Sequence, residues 1–554
     1  MSGIPSSIAP RLPSTHRNRT IYFQRDHIWV ASPIDSGVSL ANNRANRIIY
    51  KRWAMQVDRR TLLQGACVAA VAGAVSVRAA AGEIAELTWT PAWKLVDMIK
   101  RKTISPVELT KHYLARIDRI NPKINAYVTV DHEGALVQAK VAEQAVMRGD
   151  ALGALHGIPI SIKDLALTKG LCSTDGSLIF KDRIPDHDDI FVARLRKAGV
   201  VILGKNNTPE FGKFARSMNR VIGETRNPWD TRRITGASSG GAGAASAAGI
   251  SPFAIASDGG GSTRIPAHFN GVFGLQPSPG RLPLLEPILA GPQQASFGPM
   301  TLDVMDAAII MNAMAGPDPR DPSAIQTPTP DFTAGLNDGI KGFKIAWSDD
   351  FGHIPILDLR VLKTQKSSAY LLERAGATVE DPAIKLYDFF EPWAISNAAL
   401  GSVAKIRGFS EEQKALISPP VAQTMLRDRP IPTADDIAKA ERVRADIRTR
   451  FEALFDRYDV ICTPISTTIA PIAPAGWEQP YADPTYGAQF GTPYTHVVNF
   501  LGLTAASVPC GFVDGLPVGL QVIARRMNET KAFRVAQALA LLQPWDSKHP
   551  ALAI

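Results

Sequence analysis

Cysteine is scarce in this sequence, with four residues among 554. Cys172, Cys462 and Cys510 are far apart and odd in number once Cys67 is set aside. That spacing does not indicate a disulfide framework or a zinc site and leaves buried free thiols as the expectation. No Gly-x-x-x-x-Gly-Lys-Ser/Thr stretch occurs, and no acidic residue stands at dinucleotide spacing after a Gly-x-Gly-x-x-Gly, so the common nucleotide-binding loops are excluded. No period of roughly 20 to 50 residues recurs and no heptad persists, which removes repeat and coiled-coil architectures. The apolar run Ala66 to Val77 is too short to span a bilayer comfortably, and no later run does so. What is present, 45% hydrophobic and 20% charged residues, is the balance of a packed globular chain. Its length admits one large domain with insertions or two domains.

The formal charge is +9, but it is concentrated at one end. Residues 1–82 hold eleven Arg and Lys against three acidic residues, so the rest is nearly neutral and a nucleic-acid partner is not expected. Asp58-Arg59-Arg60-Thr61-Leu62-Leu63-Gln64 precedes the apolar run, and Ala79-Ala80-Ala81 follows it. Paired arginines, a short apolar stretch and a small-residue cleavage site resemble a twin-arginine export signal. On that reading residues 55–81 are the signal, beginning at Met55, and the product is periplasmic with no stable membrane anchor. Residues 1–54 are then an extension from an upstream start codon or a disordered tail. The alternative is an N-terminal helix packed on the body. Cys67 follows Gln64-Gly65-Ala66, which lacks the apolar residue a lipoprotein signal needs, so lipidation is not expected.

The body begins near Pro91. Ser105-Pro106-Val107-Glu108 reads as a capping box with Pro in the first turn, and Leu109, Tyr113, Ile117 and Ile120 supply an apolar stripe for a helix to about Arg119. Gly157 to Ile162 reads as a buried strand, Asp188 to Ala198 as a helix and Val200 to Leu203 as a further buried strand. Ala434 to Asp456 reads as a long charged helix and Asp459 to Thr463 as a strand. This alternation predicts an α/β fold with a sheet covered by helices on both faces. Residues 320–430 mix Pro-rich turns with weakly periodic helices and are expected to help set specificity.

The most unusual stretch is Thr235 to Arg281. Its small residues fall in two clusters, Gly236 to Gly243 and Gly259 to Ser262, separated by an Ala-rich helical segment and the strand-like Pro252 to Ala256. Glycines let backbone approach a ligand and aim successive N–H groups at one point, so such a turn can hold an oxyanion.

Ser238-Ser239-Gly240-Gly241 is followed at a spacing of 24 by Ser262, within Asp258-Gly259-Gly260-Gly261-Ser262-Thr263-Arg264-Ile265-Pro266. Upstream stand Gly157-Ile158-Pro159-Ile160-Ser161-Ile162-Lys163-Asp164 and Gly204-Lys205-Asn206-Asn207-Thr208-Pro209-Glu210-Phe211. Downstream stand Gly298-Pro299-Met300, Tyr458 to Pro464, and Gly515-Leu516-Pro517-Val518-Gly519-Leu520-Gln521. Together these resemble the amidase signature family across residues 90–545.

The resemblance implies a mixed central β-sheet flanked by helices. It also implies an amidase that cleaves a carboxamide C–N bond through an acyl-enzyme, using neither cofactor nor metal, on a small-molecule amide. Carried over, Ser262 is the nucleophile, Ser238 the bridging serine after a cis peptide, and Lys163 a base that rests neutral. The N–H groups of Gly259, Gly260, Gly261 and Ser262 form the oxyanion hole. A serine hydroxyl needs a neighbouring base, and burial can keep a lysine neutral, so the chemistry suits the roles.

Each residue also has a plainer reading. Ser239 is expected to cap the following helix, and Asp258 and Arg264 to hold the glycine turn through hydrogen bonds and an ion pair. Lys205, also after an apolar strand, is the rival lysine. His156 and His268 invite a Ser-His-Asp reading but are expected to be ordinary polar residues. The sequence departs from the family's common pattern at Ala237, where Gly is usual, and at Gln276, where Lys is usual; neither touches the triad. Two competing functions remain. One is a glutamine-dependent amidotransferase subunit, against which the export signal argues; the other is a catalytically idle binding protein with the same fold. A homodimer is compatible with the sequence.

Overall fold

The computed structural model describes residues 87–285, 294–400, 406–427, 431–476 and 492–554. The extension and signal expected over 1–54 and 55–81 lie outside these residues. Among the described residues thirteen strands occur in chain order: β1 (Tyr127–Val130), β2 (Pro159–Lys163), β3 (Val201–Asn206), β4 (Met218–Asn219), β5 (Gly223–Glu224), β6 (Phe253–Asp258) and β7 (Phe273–Gln276), followed by β8 (Ser296–Thr301), β9 (Lys344–Trp347), β10 (Thr378–Glu380), β11 (Val460–Pro464), β12 (Thr504–Val513) and β13 (Leu516–Ala524). All but β4 and β5, which form a small ribbon, join one mixed sheet in the order β1-β3-β2-β6-β8-β7-β12-β13-β11-β9-β10. β3, β2 and β6 run parallel, as do β11, β9 and β10, while β6, β8, β7, β12, β13 and β11 pair antiparallel in turn.

The elements read from sequence recur with shifted ends. The capping box at Ser105 is formed, and its helix runs Pro106–Ile124, past the expected end, because Ile120 and Ile124 continue the buried stripe. β2 starts two residues later than expected and reaches Lys163, and β3 extends to Asn206. The polar ends Lys163 and Lys205-Asn206 were outside the apolar runs that marked these strands. The helices Ile190–Lys197 and Ala434–Phe455 lie within the spans expected for them. Among the described residues no helix is long and apolar enough to cross a membrane.

Alternation along β6 shows how both faces are covered. Phe253 and Ile255 enter the main core with Ile160, Ile162, Phe191 and Met311. Ala254 and Ala256 pack instead with Ala242, Ala247, Ala267 and Met300. Ser161 pairs in register with Ala254, so Lys163 shares the alanine face. The helix Gly240–Ala247 lies there, and its small residues allow the approach. A methyl group on Gly241 would stand 2.4 Å from Asn207 N and 2.6 Å from Ala126 O.

Of the cysteines expected to be buried, Cys462 and Cys510 are, whereas Cys172 is only partly so. It sits on a loop against the Lys181 carbonyl rather than in a strand, so less of it is covered.

Candidate active site

Lys163, at the end of β2, is fully buried. Its Nζ lies 2.7 Å from Ser238 Oγ, 2.7 Å from Ser239 Oγ, 2.9 Å from Ser257 Oγ and 3.4 Å from Ser257 O. Burial, opposed by the Asp258 charge, drives this amine well below its ordinary lysine value. A neutral amine has two protons and one lone pair to share among these partners. Ser239 donates its hydroxyl proton to Ser257 O at 3.0 Å and accepts from Ser257 N–H at 3.2 Å, so towards Lys163 it can only accept. Ser257, through Oγ or O, can take the second amine proton. With Ser257 accepting, the lone pair can face the hydroxyl of Ser238, which is a geometry for withdrawing its proton.

Ser239 therefore corrects the capping expectation. It stands at the N-cap of Gly240–Ala247, but its side chain makes no cap hydrogen bond. Ser217 supplies that bond, accepting from Gly240 N–H at 2.9 Å while donating to Gly236 O at 3.0 Å. Neither Ser217 nor Ser257 stood out in the sequence, although Ser257 directly precedes Asp258. The Ala237–Ser238 peptide is cis.

Ser262 is part-exposed on the turn after β6. It meets the serine loop through backbone, accepting at its carbonyl from Ser239 N–H at 3.1 Å. Among the described residues no hydrogen bond joins the Ser262 and Ser238 hydroxyls. The turn is held by Asp258, which accepts from Gly261 N–H at 2.6 Å and Thr263 N–H at 3.0 Å. Asp258 also pairs with both forks of Arg264 at 3.0 Å. Gly261 N–H is thus spent inside the turn, a correction to its place in the expected oxyanion hole. Within the described residues the N–H groups of Gly259, Gly260 and Ser262 donate to nothing. Gly261 has φ 112° and a Cβ there would meet Thr495 Oγ1 at 2.3 Å, so the turn requires glycine at this position.

Arg264 is wholly buried and every donor of its guanidinium is used. Besides Asp258, it reaches Thr495 O at 3.1 Å, Gln521 Oε1 at 2.7 Å and Asn499 Oδ1 at 2.6 Å. Asn499 returns a bond to Asp258 Oδ1 at 3.0 Å. Burial raises the Asp258 carboxyl, but Arg264, Asn499 and Gly261 N–H outweigh it and hold the group well below the usual carboxylate range. The helix Thr492–Leu501 also ties Thr495 Oγ1 to Gly260 O at 2.8 Å. Its contribution was invisible in the sequence because nothing local links residues 495–499 to 258–264.

The rival groups lie elsewhere. Lys205 Nζ bonds the Ala166 carbonyl and, at 2.9 Å, Thr168 Oγ1. Burial lowers it to about 8 against the charges of Asp164, Asp175 and Asp189. His156 Nε2 donates to Ala142 O at 2.9 Å. His268 accepts from Gly519 N–H at Nδ1 (2.8 Å) and donates to Thr468 O from Nε2 (3.0 Å), and burial lowers it to about 4. Gly236 to Gly240 has the letters Gly-x-Ser-x-Gly, yet its serine faces Lys163 and not a histidine. Gln276 is fully buried, and its side-chain amide has no partner among the described residues.

The profile of the amidase family matches residues 108–533. The chain belongs to the amidase family. This amidase-family enzyme is 35% identical to a glutamyl-tRNA(Gln) amidotransferase subunit of Caldanaerobacter subterraneus subsp. tengcongensis over 489 residues, 83% of this chain and 97% of that relative. It is 34% identical to the corresponding subunit of Moorella thermoacetica over 498 residues, 85% of this chain and 100% of the relative. Among solved structures, it resembles a bacterial aryl acylamidase with a TM-score of 0.75 at 29% identity, covering 83% of this chain and 97% of that one. It also resembles 6-aminohexanoate cyclic dimer hydrolase with its substrate, with a TM-score of 0.75 at 26% identity, covering 84% of this chain and 100% of that one.

Proposed function

We propose that the chain hydrolyses a linear or cyclic carboxamide C–N bond other than a peptide bond, in a small molecule, to a carboxylate and ammonia or amine. The observation that carries this reading is the Lys163 amine, buried among neutral hydroxyls and 2.7 Å from Ser238 Oγ. Ser262 Oγ attacks the amide carbon while its proton passes through Ser238 to Lys163. The carbonyl oxygen takes up charge against the N–H groups of Gly259, Gly260 and Ser262. The amine leaves with that proton, and water releases the acyl group from Ser262 by the reverse relay. Substrate binding turns Ser262 Oγ onto Ser238, since catalytic hydrogen bonds commonly tighten only in the complex. The test is labelling with a fluorophosphonate together with turnover of Ser262→Ala. A labelled wild type and an inert variant support the reading, and normal turnover by the variant sinks it.

Likeness in sequence favours a second reading, a glutamine-dependent amidotransferase subunit that passes ammonia to a partner. Both begin with the same amide cleavage. Glutamine as the preferred amide, with turnover that rises on adding partner subunits, would decide for the second.

Export is proposed from Arg59-Arg60 and the apolar run after them, with a catalytic domain over 90–545. A chain begun at Met55 should lose its N-terminus near Ala81 in the periplasm, and replacing both arginines by lysine should keep it in the cytoplasm. Sedimentation velocity would show whether the body is a homodimer.

A further inference from the structure

An aromatic shelf stands across the glycine turn. Trp393, on the helix Phe390–Leu400, stacks on His496 with ring centroids 3.7 Å apart and planes 17° apart. Phe390 lies 5.7 Å from each ring and is 47% exposed. The pair abuts the turn itself, since a methyl group on Gly260 would stand 2.8 Å from His496 Cδ2 and 3.2 Å from Trp393 Cζ2. Cζ2 is two bonds from the indole nitrogen, so the N–H edge of Trp393 is turned the same way. That N–H is buried and has no acceptor among the described residues.

The charges set against the same turn point away from a charged substrate. Asp258 and Arg264 are fully committed to each other, to Asn499, to Gln521 and to backbone. Nothing of theirs is left for the ammonium and carboxylate of a free amino acid, and a buried charge without a partner is strongly disfavoured.

We propose that Trp393 and His496 determine specificity, and that they select amides carrying a planar, uncharged aromatic group beside the scissile bond. The ring stacks on the exposed aromatic surface, offset or edge-on as aromatic pairs prefer, while the carbonyl sits on the N–H groups of Gly259, Gly260 and Ser262. This inference rests on the hydrolytic reading above and names its substrate class.

Two matched pairs test it on the full chain: benzamide against cyclohexanecarboxamide, and acetanilide against N-cyclohexylacetamide. In each pair size is kept and planarity is lost. The expected result is an aryl preference in kcat/KM of about tenfold in at least one pair, equivalent to about 1.4 kcal/mol. Trp393→Leu should abolish that preference, the aryl partner losing more through KM than the cyclohexyl partner, and Trp393→Phe should keep most of it. Equal rates within both pairs, equal losses of both partners in Trp393→Leu, or a preference for glutamine over all four amides would overturn the shelf. The hydrolytic reading is scored separately by fluorophosphonate labelling of Ser262. Labelling with turnover but no aryl preference removes the shelf alone, whereas no labelling and no turnover of any amide removes both.

Discussion

Lys163 and Lys205 sit on neighbouring parallel strands, each fully buried and each at the polar end of an apolar run. Burial lowers both amines, yet their neighbours make them different groups. Lys205 lies among the carboxylates of Asp164, Asp175 and Asp189, which restore part of its affinity for a proton and keep it at about 8. Around Lys163 the partners in contact are hydroxyls and a carbonyl, and the one charge that acts on it, Asp258, is already neutralised by Arg264. Depth inside a protein does not by itself make a lysine a base. What matters is whether the neighbours demand its charge or its lone pair.

The sharpest way to break this comparison is Lys163→Met. Losing the base should lower kcat/KM by about 10³-fold, and the same substitution should raise Tm. Between the lowered value of folded Lys163 and the ~10.4 of an unfolded lysine, the unfolded chain holds the extra proton. Stability of the wild type therefore rises with pH through that window. The gain in Tm from Lys163→Met should be clear at about pH 7 and should vanish towards about pH 10. Wild-type activity should fall only in acid well below the lysine range, and a His268 substitution should leave that limb in place. Scanning calorimetry and kcat/KM across pH check both halves. A variant that is less stable at neutral pH would show that the amine is charged in the fold.

Lys205→Met should do the reverse. It removes the charge that partly offsets the burial of Asp164, a carboxyl lifted to about 6, and leaves the buried Ala166 carbonyl without its donor; it should cost about 2 kcal/mol of stability while turnover per folded molecule persists. Denaturant melts beside active-site titration separate the two effects, and a loss of turnover as large as that of Lys163→Met would name the wrong lysine. Ser239→Ala should have the smallest effect. It removes one acceptor from the cage, worth about 1 kcal/mol, so kcat should fall roughly five- to tenfold with KM unchanged. An unaltered kcat would leave Ser239 a purely architectural role.

Much of the site was legible because its residues are close in sequence. The serine pair, the glycine turn and the ion pair Asp258–Arg264 all lie within Ser238 to Arg264, and β2 announced itself by its apolar run. The misread parts are those that depend on distant partners or on single hydrogens. Ser239 looks like a cap until Ser217, 22 residues earlier, proves to hold that bond. Gly261 N–H cannot be told from its neighbours by letters, because only the fold aims it at Asp258. Trp393, His496 and Asn499 lie more than 100 residues from the motif and carry no local pattern. Amphipathic periodicity marks which face of a helix is buried, not what that face touches.

The helix Thr492–Leu501 serves two masters through adjacent positions. Thr495 and Asn499, one turn apart, clamp Gly260, Asp258 and Arg264, while His496, about 100° around the axis, carries the stacked ring. Inserting or deleting one residue ahead of Thr495 would swing all three by that angle and disarm the turn together with the shelf. Lineages that share this arrangement can retune their appetite by exchanging side chains at positions 393 and 496, but length changes there are barred, so diversification should be written in substitutions, with gaps displaced to neighbouring loops.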